Sequence, residues 1–143
     1  MNEEKSTIAK TAYRWMVRND HLPPWIFTSI KRPIVQKGKT SGESFFTLIE
    51  PVICDDNNFD LPQVLLNLCL SNVREAQKAL GEFKLQCLDE QGNIMDEWIY
   101  RDAYISFVDF GSFDYKSEGA VQITCILTHK KVEYVPYYRH KTI

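Results

Sequence analysis

Cysteine and histidine side chains are the residues of this sequence that could bind a metal or act as nucleophiles. The cysteines are Cys54, Cys69, Cys87 and Cys125, and the histidines are His21, His129 and His140. No two cysteines are close enough to form a CxxC pair, and the histidines are equally scattered, so the spacing of zinc ligands is absent. We therefore expect no metal and no cofactor. Cys69, Cys87 and Cys125 fall on apolar faces of predicted elements, where a reduced thiol behaves as a small hydrophobe.

Carboxylates are the other groups that could do chemistry. Asp55-Asp56 with Asp60 could form a calcium loop, but the ligand spacing and the distal glutamate are missing, which favours a solvated acidic loop. Asp96-Glu97 could supply a catalytic carboxylate, yet a position after a hairpin turn favours an exposed polar face. His129 precedes Lys130-Lys131 and is predicted to lie at a solvated strand end. No GxSxG, HExxH or phosphate-binding glycine loop occurs, so we predict that the protein is not an enzyme.

Length and charge restrict the remaining classes. The 143 residues predict a single domain, 1–143, with a flexible N-terminal arm at 1–11 and a C-terminal tail at 135–143. Its 17 basic and 19 acidic residues give a net charge of -2, which disfavours a nucleic-acid-binding domain. The N-terminus has no apolar core of a signal peptide, and no apolar run has transmembrane length.

The elements that would position any site are mostly strands. Phe83, Leu85 and Cys87 alternate with Lys84 and Gln86, and Val121 to Leu127 alternate in the same way, which predicts a sheet with one buried and one polar face. A turn at Asp89–Asn93, with Gly92 at a position that needs positive φ, joins the first strand to Ile94–Tyr100. A bend around Gly111 precedes the last predicted strand, Ala120–Thr128.

The N-terminal half predicts three shorter strands and a helical region. The strands lie near residues 12–17, 26–30 and 44–49, and Asp60 is a helix N-cap with Pro62 in the first turn. The helix either ends near Ser71-Asn72, or it continues or restarts through residues 74–80 and stops at Gly81, and the sequence leaves both open. The fold class is therefore mainly β, or α+β, with antiparallel strands and one flanking helical region.

The order of these motifs resembles a known family. The motifs are Leu22-Pro-Pro-Trp25, Ser29-Ile-Lys-Arg-Pro33, Glu50-Pro-Val52, the hairpin from Leu85 to Tyr100, Asp102-Ala-Tyr-Ile105 and Phe110-Gly-Ser-Phe-Asp-Tyr115. Together they resemble the tail tube proteins of contractile-tailed bacteriophages, which include the T4 tail tube protein and are related to the inner-tube proteins of contractile injection systems. The resemblance covers Ala12 to Tyr134.

The resemblance implies a structural virion protein with a two-sheet antiparallel β-barrel or sandwich and one flanking helix. Such protomers form homo-hexameric rings that stack into a tube around a lumen for genome delivery. It also implies a tail sheath protein, a baseplate and a tape-measure protein as partners, DNA only as passing cargo, and a place in the virion tail after synthesis in the host cytoplasm. The polar strand faces would form the lumen or the outer wall: Lys84, Gln86, Gln122, Thr124 and Thr128.

Three departures from the family pattern bear on how rings would meet. The segment before Leu22 is short, the Gln36–Ser44 loop is compact, and the tail after Tyr134 is long and aromatic. They leave open a non-repeating baseplate initiator or tail-terminator ring. A monomeric enzyme or ligand-binding β-domain is a third hypothesis and predicts a concave pocket with converging polar groups. The candidate subunit interface comprises Lys37, Lys39, Tyr137, Tyr138 and Arg139, with a disordered terminus as the alternative for the last three.

Overall fold

Two four-stranded antiparallel sheets pack face to face around a shared apolar core. The structure, a computed structural model, describes residues 9–12, 14–53 and 58–137. Sheet 1 has the order β1-β4-β5-β8 and sheet 2 has the order β2-β3-β7-β6. The strands are β1 Trp15–Arg18, β2 Phe27–Ile30, β3 Gly42–Ile49, β4 Phe83–Leu88, β5 Ile94–Arg101, β6 Tyr104–Asp109, β7 Gln122–His129 and β8 Lys131–Pro136. The predicted mainly β fold with two antiparallel sheets is confirmed.

The alternating strands supply the core as their sequence predicts. Phe83 and Leu85 of β4 and Ile123, Cys125 and Leu127 of β7 are all buried. Aromatic rings from both sheets meet at the centre, where the ring centroids of Phe46 and Phe83 lie 5.8 Å apart and those of Phe83 and Tyr100 lie 5.6 Å apart. Tilted and edge-to-face pairs at this spacing add to the stabilisation that burial of the rings provides.

The helical region consists of two helices, α1 (Leu61–Leu70) and α2 (Val73–Leu80), so the second of the two alternatives is the one observed. The Asp60 carboxylate accepts a hydrogen bond from the backbone N–H of Gln63 at 3.2 Å, as the capping motif predicts. Asn72 caps α2 in the same way, through the backbone N–H of Glu75 at 2.9 Å. Gly81 has a φ of 68° and ends the helix.

The helices cover one side of the sandwich. Both contact β6, an edge strand of sheet 2, and Leu61, Leu65 and Leu80 extend from them into the core. None of the helices in the described part of the chain is long and apolar enough to cross a membrane.

Two strands were not predicted. β6 lies between the first hairpin and the bend at Gly111, and it begins within the Asp102-Ala-Tyr-Ile105 motif. β8 occupies residues 131–136, and it extends two residues into the predicted C-terminal tail. His129 is the last residue of β7, at a strand end as predicted, but the expectation that this end is solvated is wrong, because the residue is only 4% exposed.

Candidate functional surfaces

Asp96 and Glu97, the pair considered for catalysis, point to opposite faces of sheet 1. They are consecutive on β5, and successive side chains of a strand lie on alternate faces. The expected exposed polar face is wrong for both, since both carboxylates are buried. The same geometry prevents them from acting on one substrate together, and each is engaged by partners of its own.

Asp96 holds the N-terminal segment. The Lys10 ammonium group contacts its Oδ2 atom, and the Tyr134 hydroxyl donates a hydrogen bond to the same atom at 3.0 Å. The hydrogen bond with Asp96 raises the pKa of Lys10 above its ordinary value. Lys10, part of the predicted flexible arm, is therefore tied to β5.

Glu97 holds the beginning of the C-terminal tail. Its two carboxylate oxygens accept hydrogen bonds from the Gln86 amide at 3.0 Å and from the Tyr137 hydroxyl at 2.6 Å. Burial opposes the charged form, but these two hydrogen bonds and the nearby charges of Lys84 and Arg18 outweigh it, so the pKa of Glu97 lies below its ordinary value. The carboxylate is thus a structural anchor, ionised at neutral pH.

A second buried polar group lies where β3, β5 and β7 meet. It consists of Ser44, Tyr100 and His129, and the Tyr100 and His129 ring centroids are 5.2 Å apart. The Ser44 hydroxyl, the Tyr100 hydroxyl and the His129 Nδ1 atom have no hydrogen-bond partner within the described residues. Burial raises the pKa of Tyr100 to about 12 and lowers that of His129, partly offset by the backbone of Thr40. Both side chains are therefore neutral near pH 7.

Metal-ligating residues do not converge. Across residues 9–12, 14–53 and 58–137, no three His, Cys, Asp or Glu side chains lie close enough to hold a metal ion. Cys69, Cys87 and Cys125 are free thiols, and burial raises the pKa of Cys125 to about 12. Cys54, Asp55, Asp56 and His140 lie outside the described residues, so the expected solvated acidic loop stays a prediction. Asp60, the third carboxylate considered for calcium, is the N-cap of α1.

The predicted wall residues lie on two different surfaces. Gln122, Thr124 and Thr128 are on the outer face of sheet 2, whereas Lys84 and Gln86 are on the outer face of sheet 1. The two faces are on opposite sides of the sandwich, so the two groups cannot line the same surface. Gln86 is only 5% exposed, because Glu97 and Tyr137 surround its amide.

The outer face of sheet 2 is rich in hydroxyl groups and has no basic residue. Thr47 shares hydrogen bonds of 2.6 Å with both Thr28 and Ser29, and Thr128 donates to Ser106 at 2.7 Å. The four strands of this sheet contain no lysine or arginine, and their acidic residues are Glu43 and Asp109. This face is therefore wettable and weakly acidic.

The outer face of sheet 1 is charged. Arg101 and Glu133 form an ion pair at 2.7 Å between neighbouring strands, and Lys131 lies 3.9 Å from the same carboxylate group. Arg18 and Lys84 add two more basic residues. Of the two faces, only this one carries basic strand residues.

The predicted interface residues that the structure describes, Lys37, Lys39 and Tyr137, lie on different parts of the fold. Lys37 and Lys39 lie in a tight turn closed by the hydrogen bond from the Lys39 N–H to the Gln36 carbonyl at 3.0 Å. Tyr137 is fixed on the outer face of sheet 1 through Glu97. Tyr138 and Arg139 lie outside the described residues.

A groove of about 740 Å³ lies between the sheets beside Asp96. Trp15 and Trp98 line it from sheet 1, and Ile30 and Ile34 line it from the β2 side. Basic side chains surround this aromatic floor: Lys10, Arg14, Lys31 and Arg32. Asp96 is the only carboxylate among the described residues that line it, and it is already engaged. The groove has the concavity of a ligand site without a second acid or base for catalysis.

The β6–β7 loop, residues 110–121, is a surface feature that the alternating sequence patterns do not predict. It displays Phe113, which is 89% exposed, and Tyr115, which is fully exposed. The sequence signal was present in the motif Phe110-Gly-Ser-Phe-Asp-Tyr115, where two aromatic residues flank an aspartate outside any alternating pattern. Aromatic residues are enriched in protein interfaces relative to the rest of the protein surface.

No protein family model matches this sequence, and no curated protein sequence matches it. Solved structures do match. A chain of the PVC sheath/tube terminator, from an extracellular contractile injection system in its extended state, has a TM-score of 0.67 and 11% identity, covering 91% of this chain and 99% of that one. A chain of the PVC sheath-tube complex has a TM-score of 0.66 and 14% identity, with coverages of 95% and 100%.

A third similar structure belongs to the cap that terminates the tube of the anti-feeding prophage. Its TM-score is 0.62 at 14% identity, and the match covers 95% of this chain and 97% of that chain. Structural matches at identities this low establish the fold alone. The chain therefore has the tail-tube-like fold that its motifs predicted, over nearly its whole length.

Proposed function

We propose that this chain is a subunit of the inner tube of a contractile tail, forming stacked hexameric rings around a lumen through which the genome passes. The proposal is supported chiefly by one observation: chains from a sheath-tube complex and a tube terminator match 91–95% of this chain and 99–100% of their own length. A whole-chain match leaves little room for an additional catalytic unit in the matched region. The role is accordingly structural and non-enzymatic.

We assign the lumen to the outer face of sheet 2. A wall that DNA must slide past cannot hold phosphates, and lysine or arginine residues would do so in a salt-dependent manner. The strands of sheet 2 contain neither residue, whereas those of sheet 1 contain Arg18, Lys84, Arg101 and Lys131. Gln122, Thr124 and Thr128 would then line the lumen, and Lys84 would belong to the outer wall, facing a sheath protein.

Ring closure would also protect the strand edges. Sheet 2 ends in β2 and β6, and no further strand among the described residues pairs with their outer edges. Unpaired edges favour addition of strands from other chains. A ring contact is heterologous, since each subunit presents a different surface to each neighbour, and β2 and β6 provide two such different edges.

A tube terminator or cap is the second candidate, because two of the similar structures have these roles. Such a subunit would form one ring and would not stack further. In either role, the partners would be a sheath protein, a baseplate and a tape-measure protein, within a virion tail. Lys37, Lys39, Tyr137, Tyr138 and Arg139 remain proposed contacts between subunits.

Electron microscopy across a concentration series, with light scattering for mass, tests the assembly. We expect hollow tubes of constant diameter, with assembled baseplates added as seeds where spontaneous assembly is slow. Single rings that never stack would favour the terminator or cap. A monomer at every concentration, seeded or not, would refute both.

The variant Thr124→Lys tests the assignment of the lumen. Tubes of this variant should retain short double-stranded DNA and protect it from nuclease, because the new ammonium groups would face the inside. Gln91→Lys adds the same charge to an exposed hairpin turn of sheet 1 and serves as the control, from which nuclease should remove the DNA. Equal protection by both variants, or protection by Gln91→Lys alone, would refute the assignment.

A further inference from the structure

The β6–β7 loop displays its two aromatic side chains on a well-defined backbone. The Asp109 carboxylate accepts a hydrogen bond from the Gly111 N–H at 2.9 Å, and the Asp114 carboxylate accepts one from the Lys116 N–H at 2.9 Å. The Ser117 N–H closes a turn onto the Asp114 carbonyl at 3.0 Å. A loop that is already ordered loses little entropy when it binds. Phe113 and Tyr115 are therefore suited to act as anchors.

The groove beside Asp96 has the complementary chemistry. Trp15 and Trp98, both partly buried, line its floor and give an incoming aromatic side chain an aromatic surface to contact, and Ile34, which is 65% exposed, offers apolar contact. Lys31 and Arg32 at the rim are exposed and form no ion pair with any described residue. An aromatic segment that carries negative charge would pack against Trp15 and Trp98 and form ion pairs with Lys31 and Arg32.

The loop has that charge. Residues 110–121 contain Asp114 and Glu118 against one lysine, Lys116, and Asp109 stands at the base of the loop. Asp114 lies between Phe113 and Tyr115, so a carboxylate would approach the rim when the two rings enter the groove. Each ring buries about 150–250 Å² when it is covered, which makes the pair an anchor within a larger interface.

The loop and the groove lie at opposite ends of sheet 2. The loop joins β7 at Gln122, which pairs with Ile49 of β3, and this end of β3 lies beside the first residue of β2. The groove lies at the other end of β2, where Ile30 and the residues after it line it. They also adjoin opposite edges of the sheet, since the loop leaves β6 and the groove adjoins β2. A chain cannot insert this loop into its own groove, but a neighbouring copy can in a head-to-tail arrangement.

We propose that the β6–β7 loop of one copy docks into the Trp15–Trp98 groove of the next copy, with Phe113 and Tyr115 on the aromatic floor and Asp114 beside Arg32. The inference rests on the proposed function, because it specifies a contact through which the subunits assemble.

Photo-crosslinking identifies the occupant directly. p-Benzoylphenylalanine at position 113 should form crosslinks between copies that map to the groove, at Trp15, Ile34 or Trp98, by mass spectrometry. The same amino acid at position 45 is the control, because Phe45 is also exposed but lies on the outer face of sheet 2. Assemblies in which position 113 crosslinks elsewhere, or not at all, would overturn the docking and leave the tube function standing. Failure of the unsubstituted protein to assemble would overturn both.

Paired variants provide a second test. The double variant Phe113→Ser, Tyr115→Ser removes the aromatic anchors of the loop. The double variant Lys31→Glu, Arg32→Glu reverses the charge at the rim of the groove. Each should weaken self-association at least about tenfold. All four positions are exposed, so we expect both variants to remain folded, which circular dichroism checks. A mixture of the two retains one intact loop and one intact groove, so it should form one-to-one pairs and nothing longer. Unchanged association of either variant, or no pairing in the mixture, would refute the contact.

Discussion

Replacing Gly111 with alanine should destabilise the protein far more than the same change at another turn glycine. Gly111 has a φ of +81°, a conformation that side-chain-bearing residues rarely adopt, and a Cβ atom there would overlap the backbone carbonyl oxygen of Gln122. Gly92 in the β4–β5 hairpin has nearly the same φ, +83°, but a Cβ atom there meets nothing within 4 Å. Comparison of the two positions separates backbone strain from steric overlap.

The magnitudes follow from these two terms. A left-handed backbone costs about 1–2 kcal/mol for a residue other than glycine, which is the whole expected effect of Gly92→Ala. Relief of an overlap with backbone, which cannot rotate away, adds about 1–3 kcal/mol. We therefore expect Gly111→Ala to lower the free energy of unfolding by about 2–5 kcal/mol. For a chain of this size, each kcal/mol lowers the Tm by about 4 °C.

Urea unfolding followed by circular dichroism, below the concentration at which the protein associates, measures both variants. Gly119→Ala is a further control, since the nearest atom to its Cβ would be 3.9 Å away and its φ is not positive, and it should change stability by less than about 1 kcal/mol. If Gly111→Ala is no more destabilising than Gly92→Ala, then the close approach of Gly111 to the Gln122 carbonyl does not restrict the base of the β6–β7 loop.

Three further predictions concern the interior. The pKa of His129 is lowered in the folded state, so the unfolded chain binds a proton more readily than the folded chain. Stability should therefore fall as the pH drops below about 6.5, the ordinary histidine pKa. In thermal melts at a series of pH values, His129→Phe should reduce this dependence of stability on pH. Glu97→Ala should lower the free energy of unfolding by about 1–3 kcal/mol in urea unfolding, because it leaves the buried Gln86 amide without its partner. Tyr137→Phe, which removes one hydrogen bond at a more exposed position, should lower it by about 1 kcal/mol. Equal losses of stability in the two variants would contradict the role of burial. Leu65→Ala on the buried side of α1 should lower the free energy of unfolding by about 2–5 kcal/mol. Leu66→Ala, at the partly exposed neighbouring position, should lower it by less than about 1 kcal/mol. Similar values for the two variants would contradict the packing of α1.

The sheet core could be predicted from the sequence because its signal is local. Phe83 and Leu85 repeat at a period of two, and so do the buried residues of β7. The same period includes His129, two residues beyond Leu127, but its two lysine neighbours led to the wrong expectation of a solvated end. β8 also alternates, with Val132 buried between Lys131 and Glu133, and its charges obscured the pattern.

The surfaces depended on pairing between distant strands, which no local pattern contains. Gln86 lies on the predicted polar face, yet it is buried. Glu97 on the neighbouring strand β5 and Tyr137, just after β8, cover its side chain. Trp15 and Trp98 are 83 positions apart in the sequence and share a groove only because β1, β4 and β5 are neighbours. The motif resemblance predicted the fold, and the identities of 11–14% explain why sequence matching did not.

The central position of β7 also determines when sheet 2 can form during translation. β7 lies between β3 and β6, which are not neighbours without it, so sheet 2 has no centre until residue 129 has left the ribosome. Its pairing with β3 spans about 80 residues, and such long-range contacts form late because chain closure must precede them. Nascent chains on neighbouring ribosomes therefore present no completed sheet 2 to one another, and their self-association is postponed until synthesis has passed β7.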